Sequence, residues 1–228
     1  MKAYYFFKKI NNRWKKFRLS PISVYCFHHV SSKYEEKYMY RPDWVSIQDF
    51  KNRILDIKKD GCSFISLSES YEHIKNDYVR RKKYAALTFD DGFASLKEIL
   101  PWLKENNIPV TLFINGYVLD GKSFRYNSSE KYLTYDDLFS LNYSSIEIGS
   151  HGWDHRDLKI MTIDEFASSI SRNTELLKKH PRYIPFWAYT YGTHTEDSDR
   201  VLYENGLIPV LTDGMVNYNE PNKIHREL

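Results

Sequence analysis

Cysteine is scarce in this chain. Cys26 and Cys62 are the only two among 228 residues, too few for a disulfide framework. They form no C-x-x-C pair, which excludes a thiolate zinc site. No apolar run approaches the ~18–20 residues that a bilayer-crossing helix needs, so no transmembrane helix is expected. A secretory signal is not expected either, because Lys8 and Lys9 interrupt the only candidate apolar core after Ala3–Phe7. The default location is then the cytoplasm. Excess charge is also missing. A net +3 gives no chain-wide reason to expect nucleic acid as a partner. Internal repeats and low-complexity stretches are absent.

What remains is an ordinary globular balance, 42% apolar and 28% charged, in a chain long enough for one sizeable core and short for two. The nineteen tyrosines suit a sugar-binding surface, although in a Lys-, Asn- and Tyr-rich chain composition is the simpler explanation. Charge is unevenly spread. Residues 1–18 carry seven cations and no acid, which against the total of +3 leaves −4 elsewhere. In the same segment Ala3, Phe7, Ile10, Trp14 and Phe17 recur at helical spacing. Residues 1–20 therefore read as a basic amphipathic segment. Its stripe either docks on the protein's own body or makes peripheral contact with the inner membrane face.

Beyond Pro21, short apolar runs alternate with helical patterns. Strands are expected at Ile22–Phe27, Phe64–Leu67, Tyr84–Phe89, Pro109–Ile114, Ser145–Gly149, Ile184–Tyr189 and Ile208–Leu211. Several are apolar on nearly every residue, as in parallel strands covered on both faces. Helices are expected at Ile47–Lys59, around Ser95–Glu105 with a kink or break at Pro101, and at Thr162–Lys179 behind the capping pair Thr162 and Glu165. A last one ends at Asn205–Gly206. Residues 120–131 read as a loop that could overhang a site. Repeated alternation of this kind means an α/β architecture, and seven strands suit a barrel somewhat better than an open sheet.

Two motifs can carry chemistry. Leu87-Thr88-Phe89 runs straight into Asp90-Asp91-Gly92, two carboxylates and a glycine at the C-terminal end of a strand, where α/β folds build their sites. Strand side chains alternate in direction, so a turn must intervene if both acids are to reach one place. After the strand at Ser145–Gly149 come His151 and His155, whose i, i+4 spacing would put both imidazoles on one face of a helical turn. Asp91 with His151 and His155 would make a 2-His-1-carboxylate set with open coordination positions. Such a set serves iron oxygenases as well as zinc hydrolases. The spare carboxylate of Asp90, poised as a general base, tips the balance towards hydrolysis.

These residues resemble the polysaccharide deacetylase family (NodB homology, carbohydrate esterase family 4). Thr88-Phe89-Asp90-Asp91-Gly92 and His151-x-x-x-His155 match its first two motifs, and Phe186-Trp187-Ala188-Tyr189-Thr190-Tyr191-Gly192 is similar to the segment that ends in Pro-Tyr-Gly. The likeness spans about residues 21–228, read as one catalytic domain. It implies a distorted (β/α)7 barrel and metal-dependent removal of acetyl groups from N-acetylated sugars. On the matching positions it implies Asp90 as base, and Asp91, His151 and His155 as ligands of Zn2+ or another divalent ion such as Co2+, Ni2+ or Fe2+. Tyr191 would line the acetate pocket, its backbone N–H donating to the developing oxyanion.

The departures also inform. Ala188 stands where many members have arginine, Thr190 replaces the proline, and the late Leu-x-His motif is absent. These features resemble the branch that acts on poly-N-acetylglucosamine, in which an N-terminal Tyr-His segment supplies the acid. Val24-Tyr25-Cys26-Phe27-His28-His29-Val30 matches that segment and places His28 as the general acid. Arg226 resembles a late arginine that would orient Asp90. Two other readings stand beside this one: a silent glycan-binding barrel, and an O-acetyl esterase on the same scaffold. The sugar, the metal and the oligomeric state are unread.

Overall fold

The computed structural model describes residues 22–32, 44–76, 82–122, 130–141, 143–215, 217 and 222–228. The basic segment 1–20, with its amphipathic stripe and expected membrane contact, lies outside these residues, as does most of the 120–131 loop. In chain order the strands are β1 (Ile22–Phe27), β2 (His29–Ser31), β3 (Trp44–Ser46), β4 (Cys62–Phe64), β5 (Lys83–Phe89), β6 (Val110–Ile114), β7 (Ile146–Ser150), β8 (Tyr183–Ala188), β9 (Ile208–Thr212) and β10 (Ile224–Arg226). The α-helices are α1 (Ile47–Lys59), α2 (Leu67–Lys75), α3 (Leu96–Glu105), α4 (Tyr135–Ser140), α5 (Ile163–Leu177) and α6 (Glu196–Glu204). None is long and apolar enough to cross a membrane.

Seven strands run β1-β5-β6-β7-β8-β9-β10, and every pairing along the path is parallel. The ring closes just past β10. Cys26 N–H donates to the Glu227 carbonyl at 2.8 Å, and Glu227 N–H donates to that of Val24 at 2.9 Å. The (β/α)7 barrel expected from the sequence is present, but its membership differs by one strand. β4 is off the ring, pairing only with Lys83–Ala85 at the start of β5, while β6 takes the same edge from Leu87 onward. The seventh place goes to β10, whose Ile-His-Arg sequence carries no strand pattern of its own. Its pairing with β9 and β1 makes it a strand.

Alternation along the strands divides the apolar residues between two layers. Val24, Ala86, Phe113, Ala188, Val210 and Ile224, from six different barrel strands, meet in one buried cluster with Leu67 and Ile74 of α2. Ala85, Leu87, Phe89, Val110, Leu112 and Ile114 pack instead with Phe50, Ile54 and Ile57 of α1 and Ile99 and Leu103 of α3. Gly149 on β7 makes room for the Phe113 ring, which a Cβ there would meet at 2.5 Å.

Local chemistry sets the helix starts. Ser46, Ser66 and Thr162 each accept a backbone N–H three residues on, and Thr162 with Glu165 completes a capping box. The structure departs from the sequence reading in three places. α2 begins at Leu67, inside the expected Phe64–Leu67 strand, because Ser66 caps a helix there. A second small sheet, β2 with β3, was not expected. The helix over Ser95–Glu105 does not break, and α3 continues through Pro101. Pro101 and Lys97 are both exposed, so the Lys97 carbonyl that loses its helical partner faces water.

Candidate functional site

The C-terminal ends of the barrel strands carry the polar residues. Asp90 follows β5, its N–H bonded to the Phe27 carbonyl at 2.9 Å. Asp91 then turns into the left-handed region at φ 68°, followed by Gly92 at 77°. Gly92 N–H donates back to the Asp90 carbonyl at 2.9 Å, closing a three-residue turn. That turn defeats the strand alternation and brings both carboxylates to one place. Asp is among the few residue types that accept positive φ at modest cost.

Asp91 Oδ1 lies 3.3 Å from His151 Nε2 and 3.0 Å from His155 Nε2. All three side chains are buried. The two histidines converge, but not on a helical turn as their spacing suggested. Residues 151–157 are irregular, with Gly152 at φ 78° and His155 at φ 56°. The loop is held from below. Asn115, directly after β6, donates its side-chain amide to the carbonyls of His151 and Gly152, and Trp153 N–H donates to Ser169 Oγ at 2.8 Å. The Ala188 carbonyl stands 2.9 Å from His151 Nδ1. That contact assigns the proton to Nδ1 and leaves the Nε2 lone pair facing Asp91.

These residues fit a divalent metal. Asp91 Oδ1 is buried and accepts no properly directed hydrogen bond, although two imidazole nitrogens stand within 3.3 Å of it. Donor atoms that crowd together without donating to one another are arranged for a common cation. The three ligand atoms lie within 4.8 Å of one another. One carboxylate and two imidazoles suit a borderline divalent ion and leave positions open.

Asp90 sits in a different environment. Arg226, fully buried on β10, grips it with both arms, Nη1 to Oδ1 at 2.6 Å and Nη2 to Oδ2 at 2.8 Å. Nη1 also donates to Thr88 Oγ1 at 3.1 Å and Nη2 to Thr212 Oγ1 at 2.8 Å. Burial would raise the Asp90 pKa, but the Arg226 guanidinium and the nearby His151 bring it down to about 2. Burial likewise opposes ionisation of Asp91, yet His155 and His151 hold it well below the usual carboxylate range. Burial pushes His151 down, and the two carboxylates more than offset this, so its pKa is raised.

His28 and Tyr191 complete the expected set. His28 follows β1 half-buried, its Nδ1 3.9 Å from Cys26 Sγ, and Cys26 Sγ lies 3.6 Å from Asp90 Oδ2. Tyr191 lies on the 3-10 turn Thr190–Gly192, is 59% exposed, and sets its ring edge-on to His155 with centroids 4.8 Å apart. Its φ of 57° is strained for a bulky residue. All seven residues singled out in the sequence thus lie at one end of the barrel. Sequence reasoning missed the supports, namely Asn115, the Ala188 carbonyl, Thr88, Thr212 and Cys26. Only Asn115 carried a signal, as a polar residue directly after the strongly apolar run Leu112-Phe113-Ile114.

Residues 77–210 match the family model described as polysaccharide deacetylase. IcaB from Ammonifex degensii superposes with a TM-score of 0.80 at 20% identity, covering 92% of each chain. The Streptococcus pyogenes deacetylase PplD, solved in complex with acetate, gives 0.76 at 18% identity over 91% of this chain and 92% of its own. The BpsB deacetylase domain from Bordetella bronchiseptica gives 0.71 at 19% identity, over 92% and 96%. At such identities the likeness is one of fold. A chitin deacetylase from Pestalotiopsis sp is 33% identical over an alignment of 104 residues that covers 43% of this chain and 32% of that protein, so the chain spans about a third of that relative. His28 and Arg226 fall outside residues 77–210, the span of the family-model match.

Proposed function

The chain belongs to the polysaccharide deacetylase family, and from that premise we propose that it removes N-acetyl groups from an N-acetylated glycan by metal-dependent hydrolysis. The observation that carries the reading is the adjacency of two unlike carboxylates. Asp91 converges with His151 and His155, while Asp90 beside it is gripped by Arg226. A divalent ion held by Asp91, His151 and His155, with Zn2+ the first choice for this donor set, would supply Lewis acidity for the acetamide carbonyl and its attacking water.

The chain's own residues take the remaining roles. Asp90, kept ionised by Arg226, accepts the proton of the attacking water. Arg226 positions it, because a two-armed grip fixes the plane of the carboxylate. The Tyr191 N–H donates to the oxyanion that develops on the acetyl carbonyl oxygen. His28, at the end of β1 on the Cys26 side of Asp90, gives a proton to the departing amine. A glycan-binding barrel without catalysis does not need a second ionised carboxylate beside the Asp91, His151 and His155 set. Residues 21–228 form the catalytic domain.

Asp90→Asn tests the reading. Acetate release from acetylated chito-oligosaccharides should fall about 1,000-fold, within the range typical of a lost general base. The metal content, by elemental analysis, should be unchanged. Near-normal turnover in that variant overturns the assignment of the base. A parallel panel of O-acetylated glycans shows whether the bond cleaved is amide or ester.

A further inference from the structure

The geometry points to a second cation site in this chain, formed by Cys26, His28 and Asp90, which takes a borderline or soft divalent ion in excess and silences the hydrolase. It shares no residue with the Asp91, His151 and His155 set. Cys26 Sγ lies 3.6 Å from Asp90 Oδ2 and 3.9 Å from His28 Nδ1, and the three donor atoms lie within 4.8 Å of one another. In a tetrahedral zinc site, with bonds of about 2.3 Å to sulfur and about 2.0 Å to nitrogen or oxygen, the sulfur stands roughly 3.5 Å from each of its neighbours. Both sulfur edges are therefore near that length already. Only the edge between His28 and Asp90 has to adjust, and His28 is half-buried and so within reach of solvent.

Electrostatics sets the order of filling. The bidentate guanidinium grip falls on Asp90 and not on Asp91, so Arg226 lies against both oxygens of the second site's carboxylate and repels a second positive charge. His151 Nε2 is 3.8 Å from Asp90 Oδ2, so the two sites abut, and an ion in the first further weakens the second. Occupancy therefore needs excess metal. Binding converts the Cys26 thiol to a metal thiolate and releases one proton to solvent, with no change of oxidation state. The bound ion engages an Asp90 oxygen and a His28 ring nitrogen, and so occupies both of the groups that the proposed reaction uses for its proton transfers, which is why occupancy inhibits.

Cadmium titration of the full chain, read by thiolate-to-metal absorption in the ultraviolet and by elemental analysis, tests this without reference to any substrate. The wild type should bind two ions, the thiolate band appearing only with the second. Cys26→Ser and Cys26→Ala should each bind one ion with no band, while Cys62→Ser keeps both. His28→Ala should weaken the second site at least tenfold and keep the first. In acetate-release assays, the zinc concentration that halves turnover should rise at least tenfold in Cys26→Ser. A band that survives in both Cys26 variants, or a wild type that saturates at one ion, overturns the site whatever the fate of the deacetylase reading.

Discussion

Two acids adjacent in sequence, Asp90 and Asp91, end up in opposite kinds of surroundings. Asp91 faces two imidazoles held by short loops after β7, and its buried oxygen lacks a directed partner. Asp90 faces a guanidinium delivered by the last strand of the barrel, and both of its oxygens are satisfied. The first environment is incomplete until a cation arrives. The second is complete as it folds. The left-handed backbone of Asp91 itself, at φ 68°, divides the labour. The comparison teaches that the Asp91 side should govern metal affinity, and the Asp90 side should govern stability as well as proton transfer.

The sharpest way to break that comparison is Asp91→Asn, which keeps a residue type tolerant of positive φ while removing the charge. Metal affinity should fall at least a hundredfold and acetate release should drop to background. The melting temperature of the metal-free protein should fall far less than that of Arg226→Ala. If that melting temperature collapses instead, the Asp91 side is structural and the division fails. Removing the other partner should do the reverse. Arg226→Ala leaves Asp90 buried and unpaired, at a cost of about 3–5 kcal/mol, read as a lower denaturation midpoint. Its first metal equivalent should still bind. The smallest effect is that of acid on the metal-free chain. Asp90 has its folded pKa lowered from 3.8 to about 2, so its contribution is fully present above pH 3.8 and is lost as pH falls through about 2. That loss amounts to about 2 kcal/mol and should be absent from Arg226→Ala, as acid titration of both proteins would reveal.

Much of this division could be read in the linear chain. The run from Leu87 to Gly92 announces a buried strand that ends in acids, and His151 with His155 announces paired imidazoles. The means of convergence was misread, because i, i+4 spacing has two solutions. A helical turn is one, and the loop seen here, with left-handed residues at Gly152 and His155, is the other. Arg226 was identified by resemblance, yet nothing in Ile-His-Arg says that this strand closes the barrel and is fully buried. Cys26 was dismissed with the disulfides, since its importance lies in a neighbour 64 residues away.

The chemical inventory and its order were thus settled by the chain alone: apolar strands that demand cover on two faces, caps that start helices, and acids and histidines placed where strands end. Those are local properties, fixed by residues within a few positions of each other. Closure decided the rest. Which strand fills the seventh place, which acid meets the guanidinium and which sulfur stands beside that same acid all depend on distant segments meeting around a ring. Such meetings are set by the packing of the whole barrel and leave no trace in neighbouring residues.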